Sequence, residues 1–145
     1  MKVEIKVLPE TKDPYAIIYT SEMTPEVRRT AELLKMESTD IIPVVENGRI
    51  VVLHTDEIYM VRVENERTVV YTKEKRYGSG KRLYEFEAVL GNGFMRISKS
   101  TLANLHYLDY VEPTLGGLML VVLKNGYKDY ISRKYLPSFK KYLGL

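Results

Sequence analysis

The sequence predicts a mainly β chain of the α+β class, with small antiparallel sheets and few short helices. β-Prone runs flank two Asn-Gly pairs, Asn47-Gly48 and Asn125-Gly126, and this dipeptide favours the positive φ of a type I′ hairpin turn. A third pair of runs, Ile58 to Val63 and Thr68 to Thr72, flanks Glu64-Asn65-Glu66. Helical spacing of apolar residues is confined to three short stretches. With 145 residues, 45% hydrophobic and 28% charged, the chain is long and apolar enough to bury one ordinary core.

Residues 1–40 read as a ββα extension. Val3, Ile5 and Val7 alternate with polar neighbours, and Ala16 to Tyr19 forms a second β-prone run. Thr24-Pro25-Glu26 then supplies a cap, a first-turn proline and an early acid, after which Val27, Ala31 and Leu34 share one helical face. Met36 to Asp40 is polar and breaks that pattern, which sets the expected boundary near residue 40.

Residues 41–145 read as the main domain. Ile42 to Val45 and Ile50 to Leu53 form the first hairpin, and Leu118 to Leu123 with Tyr127 to Ile131 form the last. Leu83, Phe86 and Leu90 recur at helical spacing, with Ser79 as a prospective cap and Gly91 as a left-handed C′ residue. Pro137 must lie in the first turn of the final helix, which places the start of that helix close to Ser132 and Arg133. Leu136, Phe139 and Leu143 then share a buried face while Lys134, Lys140 and Lys141 face water.

The absence of cysteine excludes disulfides, thiolate metal sites and cysteine nucleophiles, and fits a reducing cytoplasm. The alternating start Met1 to Val7 has no apolar signal core, and the longest apolar run, Leu118 to Leu123, is far too short to span a membrane. The net charge of +3 is unevenly spread: residues 1–60 carry −4 and residues 61–145 carry +7. A basic second part suggests an anionic partner, nucleic acid among them.

Enzymatic readings find little support, and no catalytic residue, metal or cofactor is expected. His54-Thr55-Asp56-Glu57 mimics a metal cluster but matches a solvated strand end equally well. Gly78-Ser79-Gly80-Lys81 resembles part of a phosphate-binding loop, yet Lys75 stands where a glycine is needed and Arg82 where a Ser or Thr is needed. Gly91-Asn92-Gly93 most simply ends a helix. Tyr107, Tyr110, Tyr127 and Tyr130 fall in β-prone segments, where aromatics cover a sheet rather than stack on single-stranded bases.

Basic residues near turns are the stronger signal. They form separate groups: Arg67, then Lys73, Lys75 and Arg76, then Lys81 and Arg82, then Arg96 and Lys99, and last Arg133 and Lys134. Arg133 stands just outside a helix N-terminus, where free backbone N–H groups favour a phosphate.

Phe94 to Leu105, followed by Leu123-Lys-Asn-Gly126 and Ile131-Ser-Arg-Lys-Tyr-Leu136, resembles the LytTR DNA-binding domain family. The likeness runs from about Ile42 to Leu145 and includes Asp56-Glu57-Ile58 and the stretch Leu83 to Leu90 in the family's order. It implies elongated antiparallel β-sheets with few short helices, and loops that enter successive major grooves of double-stranded DNA at promoter direct repeats. On that resemblance, Lys99 takes a base-approaching position and Arg133 the base-reading one, with Arg67 the nearest match to a third contact. Ser98, Lys99 and Ser100 stand where many members carry His-Arg-Ser. Lysine is a point donor without arginine's fork, so the preferred base sequence is expected to differ.

The implied function is a sequence-specific transcription regulator, without a receiver domain, whose DNA-binding residues are Arg67, Lys73, Lys75, Arg96, Ser98, Lys99, Ser100, Arg133 and Lys134. Its implied partners are duplex DNA, a second copy in a homodimer and, by similarity to other stand-alone regulators, a small membrane protein that restrains it. The rival reading is an interaction module that has lost DNA binding.

Overall fold

The computed structural model describes residues 1–35, 40–91 and 93–145, and the chain divides into two compact units, 1–35 and 36–145. Most of the expected linker, Met36 to Thr39, lies outside the described residues, as does Asn92.

In the first unit the described regular element is helix α1, Pro25–Lys35. The Thr24 hydroxyl accepts a hydrogen bond from the Val27 amide at 3.2 Å, as a capping side chain should. Val27 is buried, but Leu34, expected on the same face, is 61% exposed. The two expected strands do not form. Val3, Ile5 and Val7 remain 78%, 84% and 86% exposed, because alternation creates a strand only where a neighbouring strand completes the ladder.

The second unit is built from three antiparallel sheets. Strands β1 (Ile41–Glu46) and β2 (Arg49–His54) pair around Asn47 (φ 50) and Gly48 (φ 74), the expected type I′ turn. The central sheet contains β3 (Met60–Glu64), β4 (Arg67–Tyr71), β5 (Arg76–Ser79), β6 (Phe94–Arg96) and β7 (Thr101–Asn104), in the order β5-β4-β3-β7-β6. The third sheet is β10-β9-β8, formed by β8 (Leu108–Pro113), β9 (Met119–Leu123) and β10 (Lys128–Ile131). Helix α2 spans Leu83–Leu90 and α3 spans Leu136–Leu143.

The central sheet is buried on both faces, and its two-residue alternation divides the core. Val61, Val70 and Leu102 point to one side, where they pack with Ile42, Val44 and Leu53 of the first hairpin and with Leu83, Phe86 and Leu90 of α2. Met60, Tyr71 and Ala103 point to the other side, toward Val121, Leu123, Ile131 and the fully buried Phe139 of α3. Leu136 and Leu143 join that second cluster, so the expected inner face of the last helix is present.

Several local expectations are corrected. Asn125 does not adopt positive φ; the Gly126 amide bonds to the Leu123 carbonyl and Gly126 itself (φ 90) provides the left-handed residue, which makes a three-residue loop rather than a type I′ turn. Asn125 is instead held by its side chain, which accepts from the Tyr127 amide and donates to the Thr72 and Lys73 carbonyls. The tight two-residue turn appears between β3 and β4, where Asn65 (φ 48) and Glu66 (φ 65) are both left-handed. Ser79 does not cap α2; its hydroxyl accepts from the Lys81 amide, and Arg82 is the residue that precedes the helix. Gly91 has φ 64 but ψ −145, a glycine-only region rather than the left-handed helical one. The last helix begins at Leu136, one turn later than expected, but the Ser132 carbonyl already accepts from the Tyr135 and Leu136 amides.

Candidate nucleic-acid interface

Ser98, Lys99 and Ser100 form the link between β6 and β7. The link is closed by the Ile97 amide on the Thr101 carbonyl at 3.0 Å, while the Ser100 amide bonds to the Ser98 hydroxyl at 3.2 Å. Lys99 is left exposed at its tip. Across the domain, the Ser132 amide donates to the Ile97 carbonyl at 2.9 Å, fastening the turn that carries Arg133 and Lys134 to the base of the Lys99 loop. Lys99, Arg133 and Lys134 are thereby brought to one end of the domain.

Arg96 lies beneath this group and is committed elsewhere. Its guanidinium pairs with Glu87 at 3.0 Å and donates to the Lys99 carbonyl at 2.8 Å, so it shapes the loop rather than offering a free cation. Arg133 is exposed, and its Nη2 donates to the Gly116 carbonyl in the β8–β9 loop at 3.2 Å.

Strand register places the remaining cations. β3 and β7 are antiparallel with Arg62 opposite Thr101, and the Val63 amide bonds to the Ser100 carbonyl at 2.8 Å. The β3–β4 turn and Arg67 therefore lie at the Lys99 end of the central sheet. Lys73 and Lys75 occupy the β4–β5 turn at the opposite end, about 20 Å along β4 at the usual rise per residue. That turn is closed by the Thr72 amide on the Lys75 carbonyl at 2.8 Å and braced by Asn125.

A polar cluster that sequence reasoning missed joins these parts. Arg62 bonds Glu64 at 2.6 Å and the Tyr71 hydroxyl at 2.9 Å, and lies 3.6 Å from Asp129 of β10, which accepts from the Thr101 hydroxyl at 2.6 Å. Tyr71 also donates to Glu64. This hydrogen bond, with help from Arg62, holds the Glu64 carboxyl below the usual carboxylate range despite partial burial. Burial, reinforced by the bond to Glu64, pushes the Tyr71 hydroxyl up. The available signal was period two: Arg62 and Glu64 share a strand face with the core residue Met60.

Two of the four singled-out tyrosines are packed, Tyr107 stacking on Tyr59 with ring centroids 3.9 Å apart and Tyr127 meeting Tyr71 edge-on. Tyr110 and Tyr130 remain about half exposed, at 52% and 50%.

The family model of the LytTr DNA-binding domain matches residues 48–144. The chain belongs to the LytTr DNA-binding domain family. Among relatives, it is 31% identical over 110 residues to the sensory transduction protein LytR of Staphylococcus haemolyticus, covering 75% of this chain and 43% of that protein. The chain thus spans less than half the length of that relative. It is 25% identical over 146 residues to an uncharacterized HTH-type transcriptional regulator of Staphylococcus aureus, covering 100% of this chain and 99% of the relative. A solved LytTr DNA-binding domain from Bacillus cereus superposes with a TM-score of 0.69 at 20% identity, covering 74% of this chain and all of that one. The LytTr fold is mostly antiparallel sheet with few helices, as the sequence predicted.

Proposed function

We propose that this DNA-binding regulator reads duplex DNA through turns rather than through a recognition helix. Its loops enter successive major grooves at promoter direct repeats. Lys99 and Arg133 approach base edges, Ser98 and Ser100 meet the DNA on either side of Lys99, and Arg67, Lys73, Lys75 and Lys134 meet phosphates. Arg96 acts one step back, by holding the Lys99 carbonyl.

The supporting observation is the Ser132 to Ile97 hydrogen bond, which couples the two base-approaching residues through rigid backbone. The order of elements along the chain agrees: α1, α2 and α3 are 11, 8 and 8 residues long and each is separated from the next by strands, so no described pair forms a helix-turn-helix.

Residues 1–35 are proposed to meet a second copy of the chain. Val3, Ile5, Val7, Ile17 and Tyr19 are all more than 60% exposed, and a 35-residue unit cannot cover them alone.

Selection of bound duplexes from a random library tests the reading. Enrichment of a repeated short motif is expected, and recovery of unselected sequence alone overturns it.

A further inference from the structure

Leu115 is 99% exposed, more than any other large apolar side chain described in the molecule. It sits in the β8–β9 loop, which is held in shape. The Thr114 amide and hydroxyl both donate to the Leu118 carbonyl, each at 2.9 Å, and Gly116 (φ 85) and Gly117 (φ 78) take the left-handed conformations that turn the chain back. The neighbouring carbonyl, that of Gly116, accepts from Arg133.

That bond has two effects. It occupies one N–H of Arg133 Nη2 and leaves the other N–H groups, enough for a two-pronged contact with a guanine edge, so it aims the guanidinium without consuming it. It also keeps Leu115 beside Arg133. Adjacent Cα atoms are about 3.8 Å apart, so with the 3.2 Å hydrogen bond the leucine lies within roughly 10 Å of the guanidinium, a span of no more than about three base steps.

From Pro113 to Leu123 there is no charged side chain, so the loop brings no cation to a phosphate. An apolar tip next to a base-reading arginine matches a different feature of the major groove, the C5-methyl of thymine. We propose that Leu115 is a further specificity residue that contacts a thymine methyl within three base pairs of the one read by Arg133. This rests on the base-reading role of Arg133.

The test compares wild-type chain and Leu115→Ala on the selected duplex, with deoxyuridine replacing each thymine near the Arg133 position in turn. One replacement should weaken the wild type about fourfold, the value of one buried methyl-sized group. Leu115→Ala should bind both duplexes equally, with an unchanged thermal melt. A thymine preference that persists in Leu115→Ala, or wild-type binding indifferent to every replacement, overturns the inference while leaving duplex reading intact. A Leu115→Ala chain whose only change is its sedimentation without DNA overturns it too, in favour of a protein contact. Absence of any selected duplex would instead remove the underlying reading.

Discussion

The Ser132 amide donates to the Ile97 carbonyl at 2.9 Å, and through it the two loops bearing Lys99 and Arg133 share one backbone anchor. The backbone segments that carry two exposed cations, more than thirty positions apart in the chain, are thereby tied together before any DNA arrives, which lowers the ordering cost of binding.

Arg133→Ala should cost about 1–3 kcal/mol on the selected duplex and relax the preference at one base position. Lys75→Ala should weaken all duplexes alike and lower the salt slope by about one. Competition binding with single-base variants of the selected site distinguishes the two. An Arg133→Ala chain with undiminished preference would remove its base-reading role.

Arg96→Met should lower duplex affinity by about three- to tenfold through loss of its bond to the Lys99 carbonyl, with the salt slope unchanged. A slope that drops as it does for Lys75→Ala would make Arg96 a phosphate contact instead.

Glu66 holds φ 65 in the two-residue turn between β3 and β4. Glycine carries no Cβ penalty there, and an Asn-Gly pair suits a type I′ turn, so Glu66→Gly should stabilise the fold by about 1 kcal/mol. The urea midpoint should rise at constant m. A lowered midpoint would contradict the strain argument.

Gly93 combines φ 94 with a close neighbour: a Cβ there would lie 2.6 Å from the His106 ring. Gly93→Ala should destabilise by about 2–4 kcal/mol in the same denaturation assay, since both backbone strain and overpacking act at that position. Stability equal to wild type would mean that the His106 ring moves aside freely.

The Glu64–Tyr71 pair makes stability depend on pH in two opposite limbs. Glu64 is held below the usual carboxylate range, so its contribution is present above the ordinary value of about 4.3 and is lost as pH falls through the lowered one. Tyr71 is held up, so its contribution is present below about 10 and is lost as pH rises through the raised value. Tyr71→Phe should shrink the alkaline limb, to which Tyr107, also pushed up by burial, still contributes, and weaken the acid one. A difference in melting temperature between wild type and Tyr71→Phe that is the same at every pH would refute this coupling.

Much of the β architecture was legible because it is local chemistry. Asn47-Gly48 selects its own turn, the runs on either side of Glu64-Asn65-Glu66 mark the β3–β4 hairpin, and Pro137 limits where α3 can begin. What was not legible depends on partners remote in sequence. Val3, Ile5 and Val7 alternate as a strand would, yet no described strand meets them. Asn125-Gly126 reads as a two-residue turn, but the bonds from Asn125 to the Thr72 and Lys73 carbonyls favour a longer loop. Arg96 reads as one more surface cation until Glu87 and the Lys99 carbonyl are seen to claim it. Likewise, nothing in the spacing of Arg62, Thr101 and Asp129 announces that three strands bring them together.

In the proposed binding mode, separated basic turns on the sheet scaffold neutralise several phosphates of one duplex. Duplex affinity measured against salt concentration tests it most directly. With Arg67, Lys73, Lys75 and Lys134 at phosphates, the logarithm of the association constant should fall linearly with the logarithm of salt, with a slope of about −3.6 or steeper. A slope near zero, or no measurable duplex affinity at low salt, would contradict the account.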